Sequence, residues 1–348
     1  MIHFVKKWLF PLLGALLLLW FFITIDMARF FNEIINVDLR LVFLGIAMYF
    51  ISISFRTLRW KLLLSGVKVV PHNQLYPVVV VGYMANNILP FRLGEFVRSY
   101  YLYKRTGIGV TRGITAIFVE RIFDALVLLL FIAVIGLFVP IYKNLTSLGE
   151  AYNISLVQLI ILFSFPFLLA FAFVMFSSFY PQFVLALLKK IVKIFKSSIS
   201  GWIYKKFDVI VKGFRILSSP LIFIRVFALS IAVWSFEAVL FIFIGMSFQI
   251  DHLYTNMFYF LITMVLAMSI GNIASSIPFA PGGIGLFEVV TREVVVLFSF
   301  MMIDRTVASA YVTVVHIALL LPMIVGGQIF LITDQITFKK LLDNSKQG

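Results

Sequence analysis

Long apolar runs separated by short polar joints occupy almost the whole chain. They cover Trp8–Ile25, Leu41–Phe55, Ile114–Pro140, Leu156–Ser177, Leu221–Gly245, Met257–Ile277, Leu286–Ile303 and Val307–Thr333. A helix needs about 20 apolar residues to cross the hydrocarbon layer, so this pattern predicts membrane spans. Leu41–Phe55 continues into Arg56-Thr-Leu-Arg59-Trp60-Lys61, which reads as a basic collar where that span ends. A further run, Pro77–Leu89, is too short to cross and stops at Asn86-Asn87-Ile-Leu-Pro90. Met257–Ile277 is broken in turn by Pro278-Phe-Ala-Pro281-Gly282-Gly283-Ile-Gly285. Each broken run predicts a re-entrant hairpin that enters the membrane, turns and leaves on the side it came from. The expected fold is an all-α polytopic integral membrane protein with about six full spans and two hairpins, forming one domain over residues 1–348.

Composition excludes the other classes. The chain is 62% hydrophobic and 13% charged, with a mean hydropathy of +1.07, whereas a soluble domain carries roughly 25% charged residues. So little charge cannot cover a water-exposed core. No cysteine is present, which removes disulfides, thiolate metal sites and cysteine nucleophiles. The 29 Lys and Arg against 15 Asp and Glu are first a topology signal. With the hairpins placed as above, the N-terminus, 56–68, 92–112, 189–215 and the C-terminal tail hold 22 Lys and Arg. The opposite segments, 26–40, 141–155, 247–257 and 292–305, hold 5. The positive-inside rule then puts both termini in the cytoplasm of a multi-pass cell-membrane protein. Two glycosylation sequons, at Asn144 and Asn153, fall in one outer loop.

The longest polar stretch, Lys189–Ser219, is amphipathic. It carries eight Lys and Arg against Asp208, and Phe207, Ile210, Val211 and Phe214 share one helical stripe. The segment of about 181–219 therefore reads as an interfacial helix on the inner leaflet, with anionic lipids as partners.

An internal repeat relates the two broken runs. Ala85-Asn-Asn-Ile-Leu-Pro-Phe-Arg-Leu-Gly-Glu95-Phe-Val-Arg98 parallels Ala274-Ser-Ser-Ile-Pro-Phe-Ala-Pro-Gly-Gly-Ile-Gly-Leu-Phe-Glu288-Val-Val-Thr-Arg292. Upstream, Gly45-Ile-Ala-Met-Tyr49 parallels Ser230-Ile-Ala-Val-Trp234. Repeat A spans about 40–140 and repeat B about 221–333. The charge split gives the two halves opposite orientations, so the repeat is inverted. Paired breaks in an inverted repeat point to a transporter's substrate site.

Intramembrane charges sharpen that site. Glu120, Arg121 and Asp124 lie inside Ile114–Pro140, where an ionisable group needs a partner or a polar cavity. Arg121 and Asp124 stand at i, i+3 and can pair, while Glu120 has snorkelling to the inner interface as its alternative. Glu95–Arg98 and Glu288–Arg292 read as matching pairs in the two halves. Glu237 is alone in its span, either protonated or reaching Arg292, and His316 is expected to hydrogen-bond a neighbouring helix. No phosphate-binding loop, zinc-protease motif or Asp-x-Asp occurs, and no cofactor or metal is expected.

Phe55-Arg56-x-x-Arg59-Trp60, Asn86-Asn87-x-x-Pro90-x-Arg92-x-Gly94-Glu95-x-x-Arg98, Glu120-Arg121-x-x-Asp124 and Pro278-x-x-Pro281-Gly282-Gly283-x-Gly285-x-x-Glu288 together resemble the lysylphosphatidylglycerol synthase transmembrane (flippase-like) family. The resemblance covers nearly the whole chain. It departs in the last span, where the family often has Tyr-Arg and this chain reads Val315-His316. Larger members couple this unit to a soluble aminoacyl-transferase domain that is absent from this chain, so synthase activity is not expected. The resemblance implies movement of a phospholipid, aminoacylated lipid, glycolipid or polyprenyl-phosphate-linked sugar between leaflets.

In this reading Arg92, Arg98 and Arg121 neutralise a phosphate, with Arg56 and Arg59 nearby. Glu95, Glu120, Asp124 and Glu288 hold a cationic headgroup or balance the arginines, Arg292 included. Asn86, Asn87 and the Pro281-Gly282-Gly283-x-Gly285 backbone supply neutral hydrogen bonds. The alternatives are a membrane-embedded lipid-modifying enzyme using Glu95 or Glu288 as base, and a scaffold for a partner lipid synthase or glycosyltransferase. Nucleic acid is not an expected partner.

Overall fold

The computed structural model describes residues 2–138, 156–192, 197–277, 280–299, 302–336 and 338. The sequons at Asn144 and Asn153, the Pro278-Phe279 pair and the basic tail lie outside them. The described residues are helical, with no strand: α1 (Ile2–Ile23), α2 (Met27–Ile35), α3 (Leu39–Leu64), α4 (His72–Ile88), α5 (Gly94–Thr106), α6 (Val110–Gly136), α7 (Leu156–Phe179), α8 (Pro181–Val192), α9 (Ser197–Phe214), α10 (Pro220–Ser247), α11 (Met257–Ser275), α12 (Leu286–Phe298) and α13 (Arg305–Thr333). Of these, α3, α10, α11 and α13 are singly long and apolar enough to cross a membrane. Two bent pairs, α1 with α2 at 90° and α7 with α8 at 109°, bring the number up to six when each pair is counted as one span.

Local chemistry sets the ends of the helices. Asp38 caps α3 by accepting the Arg40 amide at 2.9 Å, Asn256 caps α11 through Phe258 at 2.8 Å, and Asp304 caps α13 through Thr306 at 2.7 Å. Such caps satisfy amides that have no partner within the helix. The breaks have their own cause. After α4, Pro90 supplies no amide, and Phe91 and Arg92 take left-handed backbone angles, φ 57° and 53°. After α11, Gly282, Gly283 and Gly285 take φ 62°, 78° and 90°, which glycine adopts without a β-carbon penalty.

The repeat is visible in the packing. Helices α3, α4, α5 and α6 correspond to α10, α11, α12 and α13, and every major contact within this set has its counterpart. Thus α3 meets α4 as α10 meets α11, α4 meets α13 as α11 meets α6, and α3 meets α6 as α10 meets α13. On the pseudo-axis, α3 and α10 run antiparallel along each other. The Asp38 amide meets the Ser247 carbonyl at 3.2 Å, and the Ser52 hydroxyl meets the Val233 carbonyl at 2.9 Å. Arg59 reaches Ser230 at 2.7 Å. Since each hairpin follows the C-terminal end of its own long helix, the α4/α5 and α11/α12 hairpins enter from opposite ends. The repeat is inverted.

The two hairpins differ from half-membrane loops in length. Their first arms have 17 and 19 residues, about 26 and 28 Å at 1.5 Å per residue. The two tips nevertheless meet: a β-carbon on Gly282 would stand 3.6 Å from the Asn87 carbonyl oxygen. Arg92 of the first tip donates to the Ser275 carbonyl at 3.4 Å, bridging to the end of α11.

Two expectations are corrected here. Arg56 and Arg59 are not a solvated collar: both are buried on the inward face of α3, as is Arg98 on α5. Arg92 lies at a hairpin tip and Arg292 is buried on α12. With those four inner arginines and one outer arginine withdrawn, the split of 22 to 5 becomes 18 to 4, and the asymmetry survives. The apolar stripe of the basic helix is also not wholly given to lipid. Val211 and Phe214 of α9 are buried, and Phe214 lies 6.2 Å from Phe118 of α6, while Phe207 stays exposed.

Candidate functional site

Six charged side chains are buried where α3, α5, α6 and α10 converge. Arg56 on α3 reaches Glu237 on α10 at 2.5 Å. Arg59, one turn later, reaches Asp124 at 2.8 Å and Glu120 at 3.5 Å on α6. Arg98 on α5 holds both oxygens of Glu120, at 3.2 and 3.1 Å. The Trp234 indole donates to Asp124 at 3.1 Å. The guanidinium of Arg98 also lies 3.9 Å from the centre of the Trp60 ring. Its stem crosses α4 at Gly82, where a β-carbon would stand 2.7 Å from the arginine carbons. Three arginines face three carboxylates, so this inner set is neutral. Charges removed from water persist when they are paired in this way.

A second, half-exposed set stands between the inner one and a cavity. Arg121 has its side chain 26% exposed and touches Glu95 at 3.3 Å, Glu120 at 3.4 Å and Asp124 at 3.4 Å. Arg92, 32% exposed, lies 3.8 Å from Glu95. Two arginines share one carboxylate here. The inner carboxylates being matched already, one positive charge is left over, and it lies on the cavity side.

The cavity itself, of about 140 Å³, lies between the two hairpin tips. Its wall includes Arg56, Arg92 and Arg121, with Glu237 as its carboxylate, and Tyr49, Tyr83 and Trp234 as its aromatic part. Asn86, Asn87, Asn272, Ser275, Gly282, Gly283 and His316 complete the polar lining. Tyr83 accepts a hydrogen bond from Arg56 at 2.9 Å and so orients it. Asn87 donates to the Leu320 carbonyl at 3.4 Å, tying the first tip to α13.

Of the residues singled out from the sequence, Arg56, Asn86, Asn87, Arg92, Arg121, Gly282 and Gly283 line the cavity. Arg59, Arg98, Glu120 and Asp124 belong to the buried set behind it, and Glu95 holds Arg121. Pro281 opens the second tip, and Gly285 precedes α12 against the backbone of Gly14.

Several expected pairings are replaced. Glu95 pairs with Arg121 rather than Arg98. Glu288 bonds His316 at 2.6 Å and the Gly285 amide at 2.7 Å, not Arg292. Arg292 lies away from the cavity, donating to the Phe21 carbonyl at 3.1 Å and Thr24 at 2.9 Å, and so fastens α1 to α12. Glu237 reaches Arg56 instead of Arg292. Glu120 is fully buried and does not snorkel. Arg121 and Asp124 do pair, and His316 does bond a neighbouring helix.

The aromatic part of the wall, with Asn272 and Ser275, went unassigned in the sequence, although its signal was present. Tyr49 and Trp234 are counterparts in the repeat, as are Asn86 and Ser275, and all four line the cavity.

Opposed hairpins around a cation-rich cavity define a polytopic helical membrane protein with an inverted repeat. The family model for the lysylphosphatidylglycerol synthase TM region matches residues 8–327 of the 348. The chain belongs to that family. No curated protein and no solved structure matches it.

Proposed function

We propose that the protein moves a phosphate-bearing lipid between leaflets, with the headgroup in the cavity between the hairpin tips. The observation that supports this is the division of charge. Three buried arginines are matched by three buried carboxylates, whereas the cavity side keeps one unmatched positive charge at Arg92 and Arg121. An anionic headgroup would restore balance there. Arginine suits it because a planar guanidinium binds two phosphate oxygens at once. Tyr49, Tyr83 and Trp234 add hydroxyl and ring surfaces for the rest of the headgroup. Irregular backbone at membrane depth is tolerated where it lines such a cavity.

The enzyme alternative is less favoured by geometry. Glu95 is held by Arg121 and Glu288 by His316 and the Gly285 amide, so neither stands free to take a proton from substrate. The end bearing the 18 basic residues is proposed to face the cytoplasm.

The test is a leaflet-exposure assay in proteoliposomes with a panel of labelled lipids. Phosphate-bearing lipids should cross faster than in protein-free vesicles, and Arg121→Gln should abolish the difference. Equal rates for every lipid with and without protein would remove the proposal. Chemical conversion of the lipid without crossing would replace it with the enzyme reading.

A further inference from the structure

His316 sits in the cavity wall with both ring nitrogens engaged. Nδ1 lies 2.6 Å from Glu288 Oε1, and Nε2 lies 3.0 Å from the Gly282 carbonyl oxygen. The second carboxylate oxygen, Oε2, accepts the Gly285 amide at 2.7 Å. Both side chains are buried, and the Phe287 ring covers the imidazole at 4.3 Å.

Counting donors constrains this arrangement. A carbonyl oxygen only accepts, so Nε2 carries a hydrogen. The 2.6 Å contact also needs one, whether it resides on Nδ1 or on Oε1. The pair therefore holds two hydrogens where a neutral imidazole beside an ionised carboxylate would hold one. In either placement the pair is neutral overall. Removing a proton sets acceptor against acceptor at one contact and puts a net negative charge in the cavity wall. One of the two contacts at risk belongs to Gly282, the turn of the second hairpin.

We infer that Glu288 and His316 form a proton-binding site whose protonation is coupled to occupation of the cavity by an anionic lipid headgroup. This rests on the proposed headgroup reading of the cavity. The charged and titratable groups sharing that space are Arg56 and Tyr49 on α3, Tyr83 on α4, Arg121 on α6, Glu237 on α10 and Arg92 at the first tip. Among the described residues, the imidazole bonds only to Glu288 and Gly282. The neutral pair leaves the arginine excess intact for an anion, while the deprotonated pair cancels it. Proton and headgroup therefore strengthen each other's binding, and by linkage the effect is reciprocal. With the remaining hydrogen on Nδ1, facing the ionised carboxylate, proton loss also removes the imidazole's contact with Gly282 at the second tip.

Glu288→Gln provides the test. Its amide donates to Nδ1, its oxygen accepts the Gly285 amide, and the imidazole keeps its hydrogen on Gly282. The variant thus mimics the protonated pair permanently and retains every contact. Dihexanoylphosphatidylglycerol is titrated into the full-length protein in detergent, by calorimetry in two buffers of different ionisation enthalpy and at several pH values. The wild type should take up protons on binding, approaching one per lipid as pH rises through the titration of the pair, with affinity falling in parallel. E288Q should take up none and bind independently of pH. Equal uptake by both proteins, or none by either, overturns the coupling and leaves the headgroup reading standing. No binding by either protein sinks the headgroup reading itself. The ¹⁵N ring signals of His316, identified by their loss in His316→Gln, report separately on the pair. A wild-type Nε2 without hydrogen at neutral pH would overturn the proton site.

Discussion

Arg56 and Glu237 meet at 2.5 Å across the pseudo-axis, each with 3% of its side chain exposed. They come from α3 and α10, the helices that correspond in the two halves of the repeat. One charge from each half is therefore buried against the other, and the halves cannot separate without exposing both. Tyr83 and the Trp234 ring, 4.7 Å from the guanidinium, hold Arg56 in place. The same arginine lines the cavity, so the contact that joins the halves also shapes the site.

Removing one member of that pair strands the other. Glu237→Gln should lower the unfolding free energy by about 3–5 kcal/mol, the usual cost of an uncompensated buried charge. Thermal unfolding of the purified protein measures it. Replacing both members with methionine should recover most of the loss, because a packed apolar pair avoids the desolvation penalty. A double variant no more stable than the single one would contradict the pairing.

Arg98 and Arg121 should separate cleanly. Arg98→Gln leaves the fully buried Glu120 short of its two-bond partner, and about 3–5 kcal/mol of stability should go with it. Arg121→Gln removes a half-exposed charge whose carboxylates keep other partners. It should cost no more than about 1 kcal/mol while abolishing lipid movement. Melting temperature and leaflet exposure, read on the same two variants, decide the matter. Equal melting losses would place both arginines in the structural set.

Gly285 has a φ of 90°, and a β-carbon there would run into the backbone of Gly14 on α1. Gly285→Ala should therefore destabilise by about 1–3 kcal/mol. At Gly201, on α9, an added β-carbon would meet nothing within 4 Å. Gly201→Ala should instead stabilise by up to about 1 kcal/mol, because alanine is the better helix former. Denaturation midpoints of the two variants should move in opposite directions.

Orientation is open to direct labelling, because the chain has no cysteine of its own. A single cysteine at Leu253, between α10 and α11, should react with an impermeant reagent added outside intact cells. One at Lys205 on α9 should react only after the membrane is opened. The reverse pattern would turn the whole assembly over.

Much of the architecture is set by local physics. Apolar runs of bilayer length can only be helices, since unpaired backbone groups are too costly in hydrocarbon. Pro90 and the Pro281-Gly282-Gly283 turn break helices wherever they fall, so both hairpins were legible in the chain. The inverted repeat was legible too, because Asn86-Asn87 and Ser275-Ser276 stand at matching places before the breaks. Arg121 with Asp124 could be paired on helical spacing alone.

The remaining partners lie far apart in the chain, and only the packing of α3 against α10, α5 against α6 and α12 against α13 decided them. Arg56 and Glu237 are 181 residues apart, and Glu288 and His316 are 28 apart. Spacing along one helix suggested Glu95 with Arg98, but those side chains point to different neighbours. Arg56 and Arg59 looked like the solvated end of a span because a run of arginines after apolar residues usually is one. Tertiary structure buried them, since carboxylates on α6 and α10 wait at the same depth. A charge is stable in the membrane only where a partner meets it, and the partner comes from another part of the fold.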